Sequence, residues 1–131
     1  MVGYGMVLKP TGNAIGTEPA EVDRVVGPLL RGKKDEHMLL LLLGGAYRVE
    51  QIHVLAVGDS QRVSCSIRRL FRTILGKRRR RFVMVHNHPK QDVPTPSLPD
   101  IACARRLEQA ADILGLELVD FIIVGEKGFF S

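Results

Sequence analysis

Two histidines and an aspartate near the middle of the chain are of the types that hold a metal ion. His86 and His88 are separated by one residue, and Asp100 follows after a proline-rich loop. The four residues before His86 are all apolar, which predicts a buried strand that runs into the first histidine. Because side chains alternate along extended backbone, both imidazoles project from one face. Two imidazoles and one carboxylate leave a fourth position for water, as in catalytic zinc sites, so the sequence predicts zinc at these residues.

Asp100 lies in the first turn of a predicted helix. Ser97 and Asp100 have the spacing of a helix N-cap and its third-position acid. The apolar residues that follow recur at helical spacing: Ile101, Ala104, Leu107, Ala111 and Leu114. Taken alone, Ser97 and Asp100 predict only a helix cap. Together with the histidine pair they favour a metal site.

These residues resemble the JAMM metalloprotease family, also called the JAB1/MPN domain, and most closely its RadC-like branch. The signature of that family is an upstream glutamate, then His-x-His-Pro, then Ser-x-x-Asp at the start of a helix. The chain has Glu36, then His86-Asn87-His88-Pro89, then Ser97-Leu98-Pro99-Asp100. Pro94-Thr95-Pro96-Ser97 and Asp100-Ile101 also match the wording of the RadC-like branch. The resemblance covers roughly residues 20–131.

The resemblance implies an α/β (α+β) domain of JAB1/MPN-like, cytidine deaminase-like fold, with a central mixed β-sheet flanked by helices. It also implies a zinc-dependent hydrolase that cleaves a peptide or isopeptide bond, including one to a ubiquitin-like partner. In this interpretation Zn²⁺ is bound by His86, His88 and Asp100. Glu36 is the general base, and Ser97 donates a hydrogen bond to the developing oxyanion.

The chain departs from the pattern of the family in three places. Eight residues separate His88 from Ser97, one more than is usual, so we expect the loop to bulge. Phe121 stands where RadC-like chains often have a histidine. The helical segment that usually precedes the domain would not fit in residues 1–19, which we interpret as a loose arm with one short strand.

Hydrophobic periodicity and turn residues predict the remaining elements. We expect helices at about Pro19–Arg31 and Ser66–Gly76, and strands at Glu36–Leu43, Val49–Val57, Glu117–Val124 and Gly128–Ser131. The apolar stripe of the second helix is expected to comprise Ile67, Leu70, Phe71, Ile74 and Leu75. Gly44 and Gly45 are expected to form the turn of a hairpin. His37 should be partly exposed on the face opposite Glu36, and His53 has no predicted role.

Length and composition favour one domain over residues 20–131. A chain of 131 residues is close to the commonest domain size, and a hydrophobic content of 45% is enough for a core. Met38–Leu43 is the most hydrophobic run, yet it is too short to cross a bilayer. We expect no signal peptide. Cys65 and Cys103 are too few for a disulfide framework, so reduced thiols and a cytoplasmic location are expected.

A basic cluster contributes most of the net charge of +5. It comprises Arg68, Arg69, Arg72, Lys77, Arg78, Arg79, Arg80 and Arg81. Such a cluster either attracts nucleic acid or an acidic partner, or complements a helix C-terminus, and the sequence does not decide between these interpretations.

Other functions remain open beside the hydrolase. A RadC-like nucleic-acid-binding protein associated with DNA repair is the main alternative, and a metal-free MPN scaffold is a third. The letters His-Asn-His do not indicate an HNH nuclease, whose residues spread over a longer unit. The short last strand leaves an edge that favours a homo-oligomer.

Overall fold

The computed structural model describes Val7–Leu8 by their backbone, and residues 18–58 and 66–131 in full. The helices are α1 (Pro19–Leu30), α2 (Ile67–Gly76) and α3 (Leu98–Leu114). The strands are β1 (Val7–Leu8), β2 (Glu36–Leu43), β3 (Val49–Gly58), β4 (Arg81–Asn87), β5 (Glu117–Val124) and β6 (Phe129–Phe130). The predicted strand in the N-terminal arm is present as β1. The rest of the arm up to residue 17, and Cys65, lie outside the described residues, and the predicted domain boundary stays a prediction.

The strands form one mixed sheet in the order β1-β3-β2-β4-β5-β6. β4 and β5 run parallel, whereas every other neighbouring pair in this sheet is antiparallel. With helices on both faces, this arrangement confirms the predicted α/β class and the central mixed sheet. β2 and β4 occupy the middle of the sheet, and all eight residues of β2 are buried. Burial on both faces explains the uninterrupted apolar run of β2.

Alternate residues of β2 face different helices. Leu39, Leu41 and Leu43 pack in a core with residues of α1. Met38, Leu40 and Leu42 pack in a second core with residues of α2 and α3. The sheet therefore lies between α1 on one face and α2 with α3 on the other, and Glu36 shares the second face by alternation.

The buried stripe of α3 differs from the predicted one. Leu107 and Ala111 are buried as expected, but Ile101 is 37% exposed and Leu114 is 45% exposed. In the first turn the inward position belongs to Asp100, which is buried. The predicted stripe therefore holds in the middle of the helix but fails at its ends, and the first turn presents a carboxylate instead of Ile101 to the sheet.

Two smaller predictions also need correction. His37 is buried rather than partly exposed. Its ring Nδ1 lies 2.9 Å from the carbonyl oxygen of Asp35, and its backbone N–H donates a hydrogen bond to Oδ1 of Asn87. Leu75, which was predicted to lie on the apolar stripe of α2, is 50% exposed.

Among the described residues, none of the helices combines the length and the hydropathy that a membrane span requires.

Candidate metal centre

Glu36 and His86 meet at one rim of the sheet. The pairing of β2 with β4 ends with Met38 opposite His86, so His86 lies at the rim. Glu36 begins β2 and points to the same face as Met38. Its Oε2 lies 3.2 Å from Nε2 of His86, and both side chains are buried. The predicted start of β2 therefore places a carboxylate beside the first histidine.

Asp100 bridges the two imidazoles from the first turn of α3. Its Oδ1 lies 2.8 Å from Nδ1 of His86, and its Oδ2 lies 3.0 Å from Nε2 of His88. The backbone N–H of Ser97 also donates to Oδ2 at 2.9 Å. Burial raises the pKa of Asp100, but the hydrogen bonds from His86, His88 and Ser97 together outweigh burial and hold that pKa far below its ordinary value. The buried carboxylate is therefore charged.

The ring of His88 is oriented by the loop that follows it. Its Nδ1 lies 3.1 Å from Oε1 of Gln91, which also accepts a hydrogen bond from the backbone N–H of Thr95. Because Oε1 is an acceptor, Nδ1 must be the donor, and Nε2 is left to face Asp100. The hydrogen bond to Asp100 raises the pKa of His88; burial opposes this rise and Gln91 adds to it.

These donors fit a zinc ion. One ligand atom each from Glu36, His86 and His88 lies within 4.8 Å of the others. Tetrahedral zinc with ligand distances near 2.0–2.2 Å separates its ligand atoms by roughly 3.3 Å. The contacts of Asp100 and Glu36 with the imidazoles, at 2.8 to 3.2 Å, are close to that spacing. Buried carboxylates and imidazoles are also the donor types that zinc prefers.

The two carboxylates contact opposite nitrogens of the same ring. Glu36 faces Nε2 of His86, and Asp100 faces Nδ1. Only one nitrogen of this ring can bind a given ion, so the two carboxylates do not have equivalent positions relative to it. Glu36 and Asp100 must therefore have different roles. The resemblance assigns the ligand role to Asp100, whereas the convergent group of three contains Glu36.

Ser97 caps helix α3. Its Oγ accepts a hydrogen bond from the backbone N–H of Asp100 at 3.1 Å, and the Asp100 side chain accepts one from the Ser97 backbone in return. This capping box agrees with the helix-cap interpretation. The bond leaves the hydroxyl hydrogen of Ser97 unused, so the predicted hydrogen bond to an oxyanion stays a prediction.

The eight-residue loop between His88 and Ser97 is fixed to the β5–β6 turn. Backbone N–H groups of Glu126 and Lys127 donate to the carbonyls of Gln91 and Asp92, both at 2.8 Å. Gly125 allows this approach, because a Cβ there would lie 2.5 Å from the carbonyl oxygen of Asp92. The loop thus accommodates its extra residue and still delivers Asp100 to the histidines.

Two residues of the site were not identified from the sequence. Asn87 has no predicted role, yet it is 2% exposed and hydrogen-bonded to the segment around Glu36. Gln91 lies in a loop without a recognisable pattern. A polar residue at a buried strand position signals that its side chain has a hydrogen-bond partner, and this signal could have identified Asn87. No such signal in the sequence points to Gln91.

The basic cluster divides into paired and exposed members. Arg79 pairs with Glu50, and Arg81 pairs with Glu117 at 3.2 Å while its guanidinium lies 4.6 Å from the ring centre of Tyr47. These two arginines therefore have structural partners. Arg69 is half-buried, and the exposed members are Arg68, Arg72, Lys77, Arg78 and Arg80.

Comparison with known proteins identifies the family. The chain matches the RadC-like JAB domain family model over residues 16–131. It is 34% identical over 115 residues to a UPF0758 protein from Geotalea uraniireducens, which covers 88% of this chain and 50% of that protein. A UPF0758 protein from Desulforamulus reducens is 34% identical over 113 residues, with coverage of 86% and 49%. One from Thermotoga maritima is 44% identical over 79 residues, with coverage of 60% and 35%.

The chain spans about half the length of the first of these curated relatives. Its mixed sheet with helices on both faces is consistent with a JAB/MPN-like fold, and its buried Glu36, His86 and His88 could hold a metal ion. The chain therefore belongs to the RadC-like JAB domain family.

Proposed function

We propose that this domain is a zinc-dependent hydrolase of JAMM type that cleaves a peptide or isopeptide bond, with a ubiquitin-like protein as one candidate partner. The observation that carries the proposal is the convergence of Glu36, His86 and His88 within 4.8 Å, beside the charged Asp100. Two buried carboxylates need positive charge beside them, and a metal ion shared with the two imidazoles would supply it. A structural role of Asp100 alone does not explain why Glu36, a second carboxylate, also reaches the histidine pair.

In this proposal His86, His88 and Asp100 would hold the ion, and zinc bound there would supply Lewis acidity for hydrolysis by water. The Glu36 carboxylate accepts a proton from the attacking water as general base. It then delivers the proton to the leaving amine, so that it returns to its starting state. The Ser97 hydroxyl donates a hydrogen bond to the oxygen that becomes negative. Burial of Glu36 and Asp100 strengthens these electrostatic interactions.

The test is hydrolysis of lysine-linked and linear ubiquitin-like fusions by zinc-loaded protein. We expect cleavage that a chelator removes and added zinc restores. Glu36→Gln preserves the shape of the side chain but removes the base, and it should lower kcat by about 10²–10⁴-fold. Cleavage by Glu36→Gln at the native rate would contradict the assignment of the base. A zinc-loaded native protein that cleaves no amide bond in these fusions would contradict the proposed activity.

A second candidate function is binding of nucleic acid. The exposed cations Arg68, Arg72, Lys77, Arg78 and Arg80 favour it, because charges with no close acidic partner among the described residues remain available to phosphates. Replacing Lys77, Arg78 and Arg80 with glutamine should weaken DNA binding and flatten its salt dependence. Replacing Arg79 and Arg81 should affect stability more than binding, since both already have partners. Native protein without salt-dependent affinity for DNA would exclude this function.

The cytoplasmic location and the homo-oligomer are part of the same proposal. Cys103 packs against the core shared by α2 and α3, as a small reduced side chain would. The two-residue edge strand β6 offers backbone groups to a second copy of the chain. Sedimentation at several protein concentrations would test the oligomer.

A further inference from the structure

Asn87 connects the strand that carries the histidines to the segment that carries Glu36. Its Oδ1 accepts a hydrogen bond from the backbone N–H of His37, and its Nδ2 donates to the backbone carbonyl of Asp35 at 3.2 Å. These two backbone groups lie on either side of Glu36. We propose that Asn87 is a positioning residue that holds the Glu36 carboxylate against His86.

The sheet does not provide this link by itself. The pairing of β2 with β4 stops at Met38 and His86, so the backbone of Glu36 and His37 extends beyond the last pair on the β4 side. On the other side, these residues pair only with the end of β3, at Gly58 and Val57. The side chain of Asn87 supplies the donor and the acceptor that another β2–β4 pair would have supplied.

Asn87 acts without touching the proposed ligands. Side chains alternate along β4, so Asn87 points to the face opposite His86. It is 2% exposed, and loss of its amide would leave the buried N–H of His37 without its observed partner. The backbone of Glu36, whose Oε2 lies 3.2 Å from Nε2 of His86, would then keep only its pairing with β3. A displacement of about 1 Å at a reacting group can lower a rate about 10²-fold.

The inference rests on the proposed function for the role of Glu36, but its first test does not depend on catalysis. We would compare hydrogen exchange of the His37 amide by NMR in the native protein, in Asn87→Ala and in Val85→Ala. Val85 lies on the same strand and the same face and pairs with Leu39, so its truncation destabilises the core but keeps both hydrogen bonds of Asn87. Asn87→Ala should accelerate exchange at His37 by at least about tenfold beyond the change in Val85→Ala.

A conservative variant separates the hydrogen bond from the volume of the side chain. Asn87→Asp keeps an acceptor for the His37 N–H but removes the donor to Asp35. It should restore most of the protection of His37. Equal exchange at His37 in Asn87→Ala and Val85→Ala would overturn the inference, whether or not the protein hydrolyses any substrate.

The second test uses the proposed activity. Asn87→Ala should lower kcat by about 10–100-fold, with KM and zinc content close to native values, because it disturbs the base rather than the ligands. In a Glu36→Gln background the same substitution should have little further effect, since the residue it positions is already inactive. An equal fold loss in both backgrounds would overturn the link to Glu36. Absence of hydrolysis in the native protein would instead count against the proposed function.

Discussion

At the residue scale, the centre depends on two carboxylates in different surroundings. Asp100 contacts both imidazoles and the backbone N–H of Ser97, and these hydrogen bonds keep it charged although it is buried. Glu36 contacts one imidazole, and only from the side opposite Asp100. A residue that contacts both histidines is suited to complete a ligand set. A residue at the margin of that set is suited to exchange protons with a water molecule.

Matched amide substitutions test this division of roles. Asp100→Asn should weaken zinc binding by at least about tenfold, because it removes a charged ligand with little change in shape. Glu36→Gln should keep about one zinc per chain. Zinc affinity, measured by competition with a chelator, would show which of the two substitutions removes a ligand. The opposite result, retention in Asp100→Asn and loss in Glu36→Gln, would make Glu36 the ligand.

Gln91 gives a second prediction at this scale. It accepts the hydrogen bond that fixes the ring of His88, so Gln91→Ala should weaken zinc binding by about 10–100-fold, as loss of such partners commonly does. Lys90→Ala is the control, because Lys90 is exposed on the same loop. Titration with Zn²⁺ measures both affinities. Equal affinities in the two variants would show that Gln91 does not orient His88.

At the element scale, the sequence predicted the order of the elements well because each has a strong local signal. The apolar run of β2, the two histidines at the end of β4 and the Ser97 cap can all be recognised from neighbouring residues. The stripe of α3 was misplaced by about one residue in its first turn, because apolar character made Ile101 the better inward candidate. The attraction of the buried histidines for Asp100 overrides that preference in the structure.

The contacts of Asn87 could not be predicted from local patterns. Its partners His37 and Asp35 lie 50 and 52 residues away along the chain. They are backbone groups, which carry no sequence signal. The contact of Gln91 with His88 likewise depends on the path of a loop that only the structure reveals.

Close packing of that loop on the β5–β6 turn gives a prediction for one glycine. A Cβ at Gly125 would lie within 2.6 Å of two carbonyl oxygens, of Asp92 and Gln91, so Gly125→Ala should destabilise the fold by about 1–3 kcal/mol. It should also weaken zinc binding. Gly76→Ala is the matched control, since nothing lies within 4 Å of a Cβ there. It should be neutral or stabilising in the helix. Denaturant unfolding of both variants measures the difference, and equal stabilities would contradict the packing argument.

At the scale of the whole molecule, topology brings distant residues to one rim. β4 pairs antiparallel with β2 and parallel with β5, so the end of β4 meets the start of β2. α3 lies on the same face of the sheet as His86 and contributes Asp100 from its first turn. The site therefore needs the middle of the sheet and one helix in place before any ligand is aligned.

Global stability should also depend on the buried His53. Burial lowers the pKa of His53, and the charge of Lys77 lowers it further, so the folded protein keeps this ring neutral. The unfolded chain binds the proton more readily. Stability is therefore complete above the unfolded pKa of about 6.5 and falls as the pH drops below it, by less than about 1.4 kcal/mol per pH unit.

The matched variant is His53→Gln, with both proteins carrying His86→Ala and His88→Ala so that these two histidines do not titrate. Urea unfolding between pH 7.5 and about pH 5 should show a larger loss of stability when His53 is present. Parallel pH profiles would contradict the assignment of a neutral buried ring.

The central claim is that Glu36, His86, His88 and Asp100 form a metal centre. Elemental analysis of purified protein tests it most directly, by comparing the native chain with the His86→Ala, His88→Ala double variant after both have been supplied with zinc and dialysed. We predict about one zinc per native chain and almost none in the double variant. A native protein without zinc, or equal zinc in both proteins, would contradict the account.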